Sequence, residues 1–155
     1  MQIHEYGIRL NGNRTPMIVK EASYDYADGP VVLQNPQSVE QLMNDLFQAR
    51  SLAEEYVWII ALDSSGHPVG VFELSHGTAN QSFMNTREIY IRLLLCGAVN
   101  FIMVHNHPSG DTKPSKEDIA TTERVKEAGK LLGINMLDHI IIGDSSYSFA
   151  SHDWN

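Results

Sequence analysis

A chain of 155 residues with 43% apolar content holds enough material for one ordinary domain with a real core, and nothing in it demands a second. Eleven basic against nineteen acidic side chains leave a formal charge of −8 with no Lys/Arg cluster, which disfavours strong nucleic-acid binding by this chain alone, because that affinity comes mostly from phosphate neutralisation. The single cysteine, Cys96, excludes a disulfide framework and any paired-cysteine metal site, so a zinc ion would have to use nitrogen and oxygen ligands.

The N-terminus lacks signal-peptide architecture, and no apolar run approaches the roughly 20 residues that span a bilayer; a soluble, cytoplasmic protein with no membrane partner is expected. Thr15 to Lys20 suits a short strand, and Asn11-Gly12-Asn13 before it carries hairpin turn chemistry. The polar, turn-rich stretch Asp25 to Pro30 suggests a boundary, giving an N-terminal extension over 1–32 and the main domain over 33–155.

Ser38 followed three residues later by Gln41 has the capping-box pattern and precedes Leu42, Met43, Leu46 and Phe47, predicting an amphipathic helix. Tyr56 to Leu62 and Val69 to Leu74 are strand-like runs separated by Asp63-Ser64-Ser65-Gly66, predicting an antiparallel hairpin. After a break at Gly77-Thr78, Thr86 can cap a helix carrying Ile89, Leu93 and Leu94, in which Cys96 packs as a small apolar residue. Phe101 to Val104 is an apolar run too short for a helix and reads as a strand buried on both faces. From Ser115 a long helix carries Ile119, Val125, Ala128 and Leu132 inward and stops at Gly133. Asn135 to Ile142 is another strand, and Tyr147 to Ala150 a last short one. Such alternation predicts an α/β domain with a mixed sheet covered by helices.

The chemistry concentrates between His105 and Asp118. Residues i and i+2 of an extended chain point to one side, so His105 and His107 can converge on a single ion while Asn106 points away. Pro108, Gly110 and Pro114 bend the following loop and bring Asp118 back in the first turn of its helix as a third ligand. Two His, one carboxylate and an open position is the pattern of a catalytic zinc site. Glu73, a carboxylate among apolar neighbours on a different strand, is the candidate general acid/base, and Ser115 the candidate donor to a developing oxyanion. Ser115-Lys116-Glu117-Asp118 is equally a capping box, so both residues also have a purely structural reading. The absence of HExxH argues against a thermolysin-like arrangement, and the absence of paired cysteines against zinc deaminase chemistry.

The run His105 to Asp118 resembles the JAMM motif of the JAB/MPN metallopeptidases, and HNHPSGD with PSKED resembles the bacterial RadC branch in particular. The resemblance extends over roughly 36–150. It implies a three-layer α/β/α fold of the cytidine-deaminase-like kind, with His105, His107 and Asp118 as zinc ligands, Glu73 as general acid/base and Ser115 stabilising the oxyanion. The implied activity is zinc-dependent hydrolysis of peptide or isopeptide bonds, on a peptide or protein substrate of which a ubiquitin-like protein is one form. The alternative is a RadC-like binding module that acts without catalysis in DNA repair or DNA metabolism. The helix-hairpin-helix segment usual ahead of the JAB domain in RadC-type proteins has no counterpart in the short N-terminal region.

Overall fold

The computed structural model describes residues 1–27, 29, 32–77, 84–152 and 154. Thr78 of the expected break, and Asp28 and Pro30 of the expected boundary, lie outside them. Seven strands among the described residues form one sheet: β1 (Gln2–Leu10), β2 (Pro16–Asp25), β3 (Glu55–Leu62), β4 (Pro68–Gly77), β5 (Asn100–Asn106), β6 (Asn135–Ile142) and β7 (Ser146–Ser148), in the order β2-β1-β4-β3-β5-β6-β7. The β1–β4 and β5–β6 pairs are parallel and the other four antiparallel, so the sheet is mixed, as predicted. Among the described residues four α-helices accompany it: α1 (Pro36–Phe47), α2 (Thr86–Cys96), α3 (Lys116–Leu132) and the short α4 (Phe149–His152).

The central strand β3 explains the layering. Its sequence EYVWIIAL is buried at every position but Tyr56, and alternate residues serve opposite faces. Trp58, Ile60 and Leu62 pack with Val39, Leu42 and Met43 of α1. Val57, Ile59 and Ala61 pack with Ile89 and Leu93 of α2 and Val125 of α3. The result is an α/β/α sandwich whose two cores share one sheet, each large buried apolar side chain contributing about 1.5–3 kcal/mol.

Local signals place the helix starts more closely than periodicity did. The capping box of α1 is Asn35 with Ser38, not Ser38 with Gln41, and Pro36 occupies the first turn, where its missing N–H costs nothing. For α2 the capping side chain belongs to Asn85 rather than Thr86. The capping box of α3 is the expected Ser115 with Asp118. The inward face of α3 is rotated from the expected one, however: Ile119 and Leu132 are exposed, while Asp118, Thr121, Thr122, Val125 and Gly129 are buried. The expected last strand ends at Ser148, and Phe149 and Ala150 begin α4.

The N-terminal hairpin continues the sheet. β1 and β2 pair across the Asn11–Thr15 turn, and β1 lies parallel to β4 with Glu5 opposite Val71, so the hairpin covers the free edge of β4.

Candidate metal centre

β5 ends in His105 and Asn106, and His107 follows with its N–H donating to the Ile142 carbonyl of β6 at 2.8 Å. The loop then turns at Gly110, whose φ of +84° suits glycine, and is tied down where Asp144 N–H donates to the Gly110 carbonyl at 2.9 Å. Gly143 sits beneath it; a Cβ there would meet the Gly110 carbonyl oxygen at 2.4 Å. The loop delivers Ser115, which caps α3 by accepting from Asp118 N–H at 3.0 Å while its own N–H donates to Asp118 Oδ2 at 2.8 Å. Capping therefore aims the Asp118 carboxylate.

Four side chains converge: Glu55, His105, His107 and Asp118, whose ligand atoms all lie within 4.8 Å of one another. His105 Nε2 is 2.9 Å from His107 Nε2, 3.4 Å from Asp118 Oδ1 and 3.8 Å from Glu55 Oε1, and His107 Nε2 is 3.5 Å from Asp118 Oδ2. Only His107 is part-exposed; the other three are buried.

Hydrogen bonds determine which imidazole nitrogens carry protons. Thr122 Oγ1 donates its one proton to the Asp118 carbonyl at 2.6 Å, so it can only accept from His139 Nδ1, also at 2.6 Å. His139 is fully buried, and burial above all pushes its pKa well below the ordinary value, so it is neutral. Its Nε2 is therefore an acceptor, and His105 Nδ1 donates to it at 2.7 Å. His107 Nδ1 donates to the Asp111 carbonyl at 2.6 Å. Both imidazoles in their neutral forms thus turn Nε2 lone pairs toward the same space.

Lone pairs that close repel unless a cation lies between them, and a proton is the smallest cation that serves. The hydrogen bond to Asp118 raises the pKa of His107, against the opposing effect of burial. Burial alone would raise the pKa of Asp118, but hydrogen bonds from His105 and His107 outweigh it and hold the carboxyl well below the usual carboxylate range. Burial pushes Glu55 up, further than the neighbouring histidines pull it down. Two neutral imidazoles, one firmly ionised carboxylate and one carboxylate of raised pKa form a donor set that fits a divalent metal ion such as zinc, with N–H contacts on the far side of both rings fixing their orientation.

The structure brings the three expected metal ligands together but places the expected acid/base elsewhere. Glu73 is not near this cluster: it pairs in register with Trp58, on the face toward α1, whereas His105 pairs with Val57, on the face toward α2 and α3. The sheet lies between them, and Glu73 Oε1 instead bonds His76 Nδ1 at 2.5 Å. The carboxylate that does arrive is Glu55, two residues before Val57 and so on the same face as His105. Asn106, the residue between the two histidines, holds it there: its Oδ1 accepts from Tyr56 N–H at 2.7 Å and its Nδ2 donates to the Glu54 carbonyl at 2.9 Å, clamping the backbone on both sides of Glu55. The signal available in the sequence was parity, since Glu55 precedes an apolar strand at even spacing from Val57, Ile59 and Ala61. His139 is a hydrogen-bonded structural group outside the four-donor set.

The profile of the RadC-like JAB domain matches residues 33–154. The chain belongs to the RadC-like JAB domain family. Among its relatives are proteins named UPF0758: one from Clostridium tetani is 41% identical over 115 residues, covering 74% of this chain and 50% of that one. Another, from Pelobacter propionicus, is 44% identical over 101 residues, 65% of this chain and 44% of that one. A third, from Staphylococcus epidermidis, is 41% identical over 118 residues, 76% and 51% respectively. The chain thus spans about half the length of the curated relatives it matches. The matched region begins after the β1–β2 hairpin, which lies outside the family domain although it completes its sheet.

Proposed function

We propose that this chain is a zinc-dependent hydrolase of the JAMM type that cleaves peptide or isopeptide bonds, with His105, His107 and Asp118 holding the ion and Glu55, not Glu73, as general base and acid. The observation that carries the reading is the convergence of two preset Nε2 lone pairs with the Asp118 and Glu55 carboxylates. The ion, when bound, supplies Lewis acidity that makes water a nucleophile at neutral pH. Glu55 takes the proton from the attacking water and returns it to the leaving amine; a pKa raised by burial brings it nearer the pH at which it must do both. Ser115 uses an oxygen lone pair to cap α3, which leaves its hydroxyl proton for the carbonyl oxygen on which negative charge grows. The substrate is a peptide or protein, with a ubiquitin-like tail as one form of it.

Metal analysis and cleavage assays on a broad panel of peptide and isopeptide substrates test this. Glu55→Gln should retain zinc and lose cleavage by roughly 10²–10⁴-fold, while Glu54→Gln, whose side chain takes no part, should behave as wild type. A purified protein that takes up no zinc, or a Glu55→Gln variant that cleaves as well as wild type, overturns the proposal.

A further inference from the structure

On the α1 face of the sheet, opposite the metal centre, lies a groove of about 320 Å³ between the N-terminal hairpin, the end of α1 and strands β3 and β4. We propose that it is a binding site for an alkylammonium group, as carried by a lysine side chain or a free amine. The proposal is independent of the metal chemistry.

Strand parity builds the groove. Glu5 pairs with Val71, and Glu73 lies two residues further along β4, so the two carboxylates stand on adjacent strands and the same face. Tyr24 pairs with Ile3 and joins that face from β2. Trp58 forms the buried floor, with Tyr56 stacked on it at 5.4 Å, and Phe47 lies between Trp58 and Tyr24 with centroid distances of 6.1 and 5.2 Å. Aromatic walls thus meet two acidic groups.

This combination selects an amphipathic cation. A methylene stem gains by lying against the aromatic walls, while an ammonium head gains from carboxylates and ring faces in surroundings less polar than water. No lysine or arginine among the described residues lines the groove. Tyr24 Oη–H donates to Glu5 Oε2 at 2.7 Å and His76 engages Glu73 Oε1, so each carboxylate is oriented through one oxygen and presents the other. A cation inserted between them can pair with the second oxygen of each. Glu5 and Tyr24 belong to the hairpin that precedes the family-matched region, so the site is one that this hairpin adds to the JAB domain.

The test is a titration of the whole ¹⁵N-labelled chain, followed by amide chemical shifts, with three probes: acetyl-Gly-Lys-Gly-amide, its norleucine analogue, and n-butylammonium chloride. Saturable shifts should centre on Tyr24, Phe47, Tyr56 and Glu73, and the norleucine peptide should bind at least about tenfold more weakly, as expected when a charge-assisted contact is lost. The double variant Glu5→Gln/Glu73→Gln, which keeps the size and hydrogen-bonding ability of both side chains, should lose binding to a similar extent. Tighter binding of the lysine peptide than of butylammonium assigns the cation to a polypeptide, and equal binding assigns it to a free amine. Saturation by the norleucine peptide at the same concentration, unchanged affinity in the double variant, or no shifts at this face with any probe overturns the proposal.

Discussion

Replacing Thr122 by Val is the most informative single change, because the residue touches no ligand atom yet presets one. The swap nearly conserves volume and deletes one hydroxyl that makes two contacts of 2.6 Å, to the Asp118 carbonyl and to His139 Nδ1. In the variant, buried His139 faces two choices. If it keeps its Nδ1 proton, a buried donor is left unsatisfied, at about 1–3 kcal/mol. If it moves the proton to Nε2, it donates to His105 Nδ1 and forces the His105 proton onto Nε2, the atom now 3.4 Å from Asp118 Oδ1 and 2.9 Å from His107 Nε2. A metal ion must then displace that proton. Zinc affinity, measured by competition with a chromogenic chelator, should fall by about 10–100-fold, the range for removing the partner of a metal-binding histidine. Thr122→Ser keeps the hydroxyl and should bind zinc like wild type while losing only a buried methyl. The reasoning is refuted if Thr122→Val binds zinc as tightly as Thr122→Ser and differs from it only in melting temperature.

Other substitutions probe the supports of the site. Asp118→Ala should remain folded, since the cap it contributes is worth about 0.5–2 kcal/mol, and should lose stoichiometric zinc, read by metal analysis after gel filtration. Asn106→Ala removes the clamp on both sides of Glu55 and leaves the Tyr56 N–H and Glu54 carbonyl without it; stability should fall by about 1–3 kcal/mol in urea unfolding, with cleavage falling more than zinc affinity. Gly143→Ala drives a Cβ against the Gly110 carbonyl oxygen and should loosen the loop that presents His107, seen as faster amide exchange over 107–112. Burial alone raises Tyr90 to about 12, and Tyr24 rises to about 12 through burial first and then Glu5. The neutral phenols are thus favoured by folding: their contribution is complete below the ordinary value of 10.0 and is lost as pH rises through about 12. Tyr90→Phe should flatten the fall in melting temperature across that window.

The α/β/α layering and most elements were legible because continuous apolar runs and capping residues are local signals. Strand β3 is apolar throughout, and Ser115 with Asp118 marks the start of α3 in the sequence itself. Three features were not legible. The inward face of α3 was misjudged because Ile119 and Leu132 satisfy a hydrophobic stripe, whereas the packed helix turns Asp118 and Thr122 inward, one helical turn apart, to reach His105 and His139. Site geometry thus overrides the apolar count. The apolar neighbours of Glu73 imply a half-buried carboxylate without saying on which side of the sheet it stands. The β1–β2 hairpin could be predicted as a hairpin, but its docking beside β4 depends on a parallel pairing between distant segments that no local pattern encodes.

Strand register decides between Glu73 and Glu55. A strand has two sides, and once Val57 is paired with His105 every second residue of β3 is assigned, while the register shift against β4 between Val57 and Trp58 sets Glu73 opposite Trp58. Glu55 and Val57 go with the histidines; Trp58 and Glu73 go with α1. A one-residue slip between β3 and β5 would exchange these sets and put Trp58 where Glu55 and Val57 now serve the metal face. The clamp from Asn106 to Glu54 and Tyr56 works against that slip, because both of its bonds exist only in the present register. The same residue that separates the two histidines in sequence therefore fixes which carboxylate meets them, and leaves the other, Glu73, to build a second acidic surface with Glu5 behind the sheet.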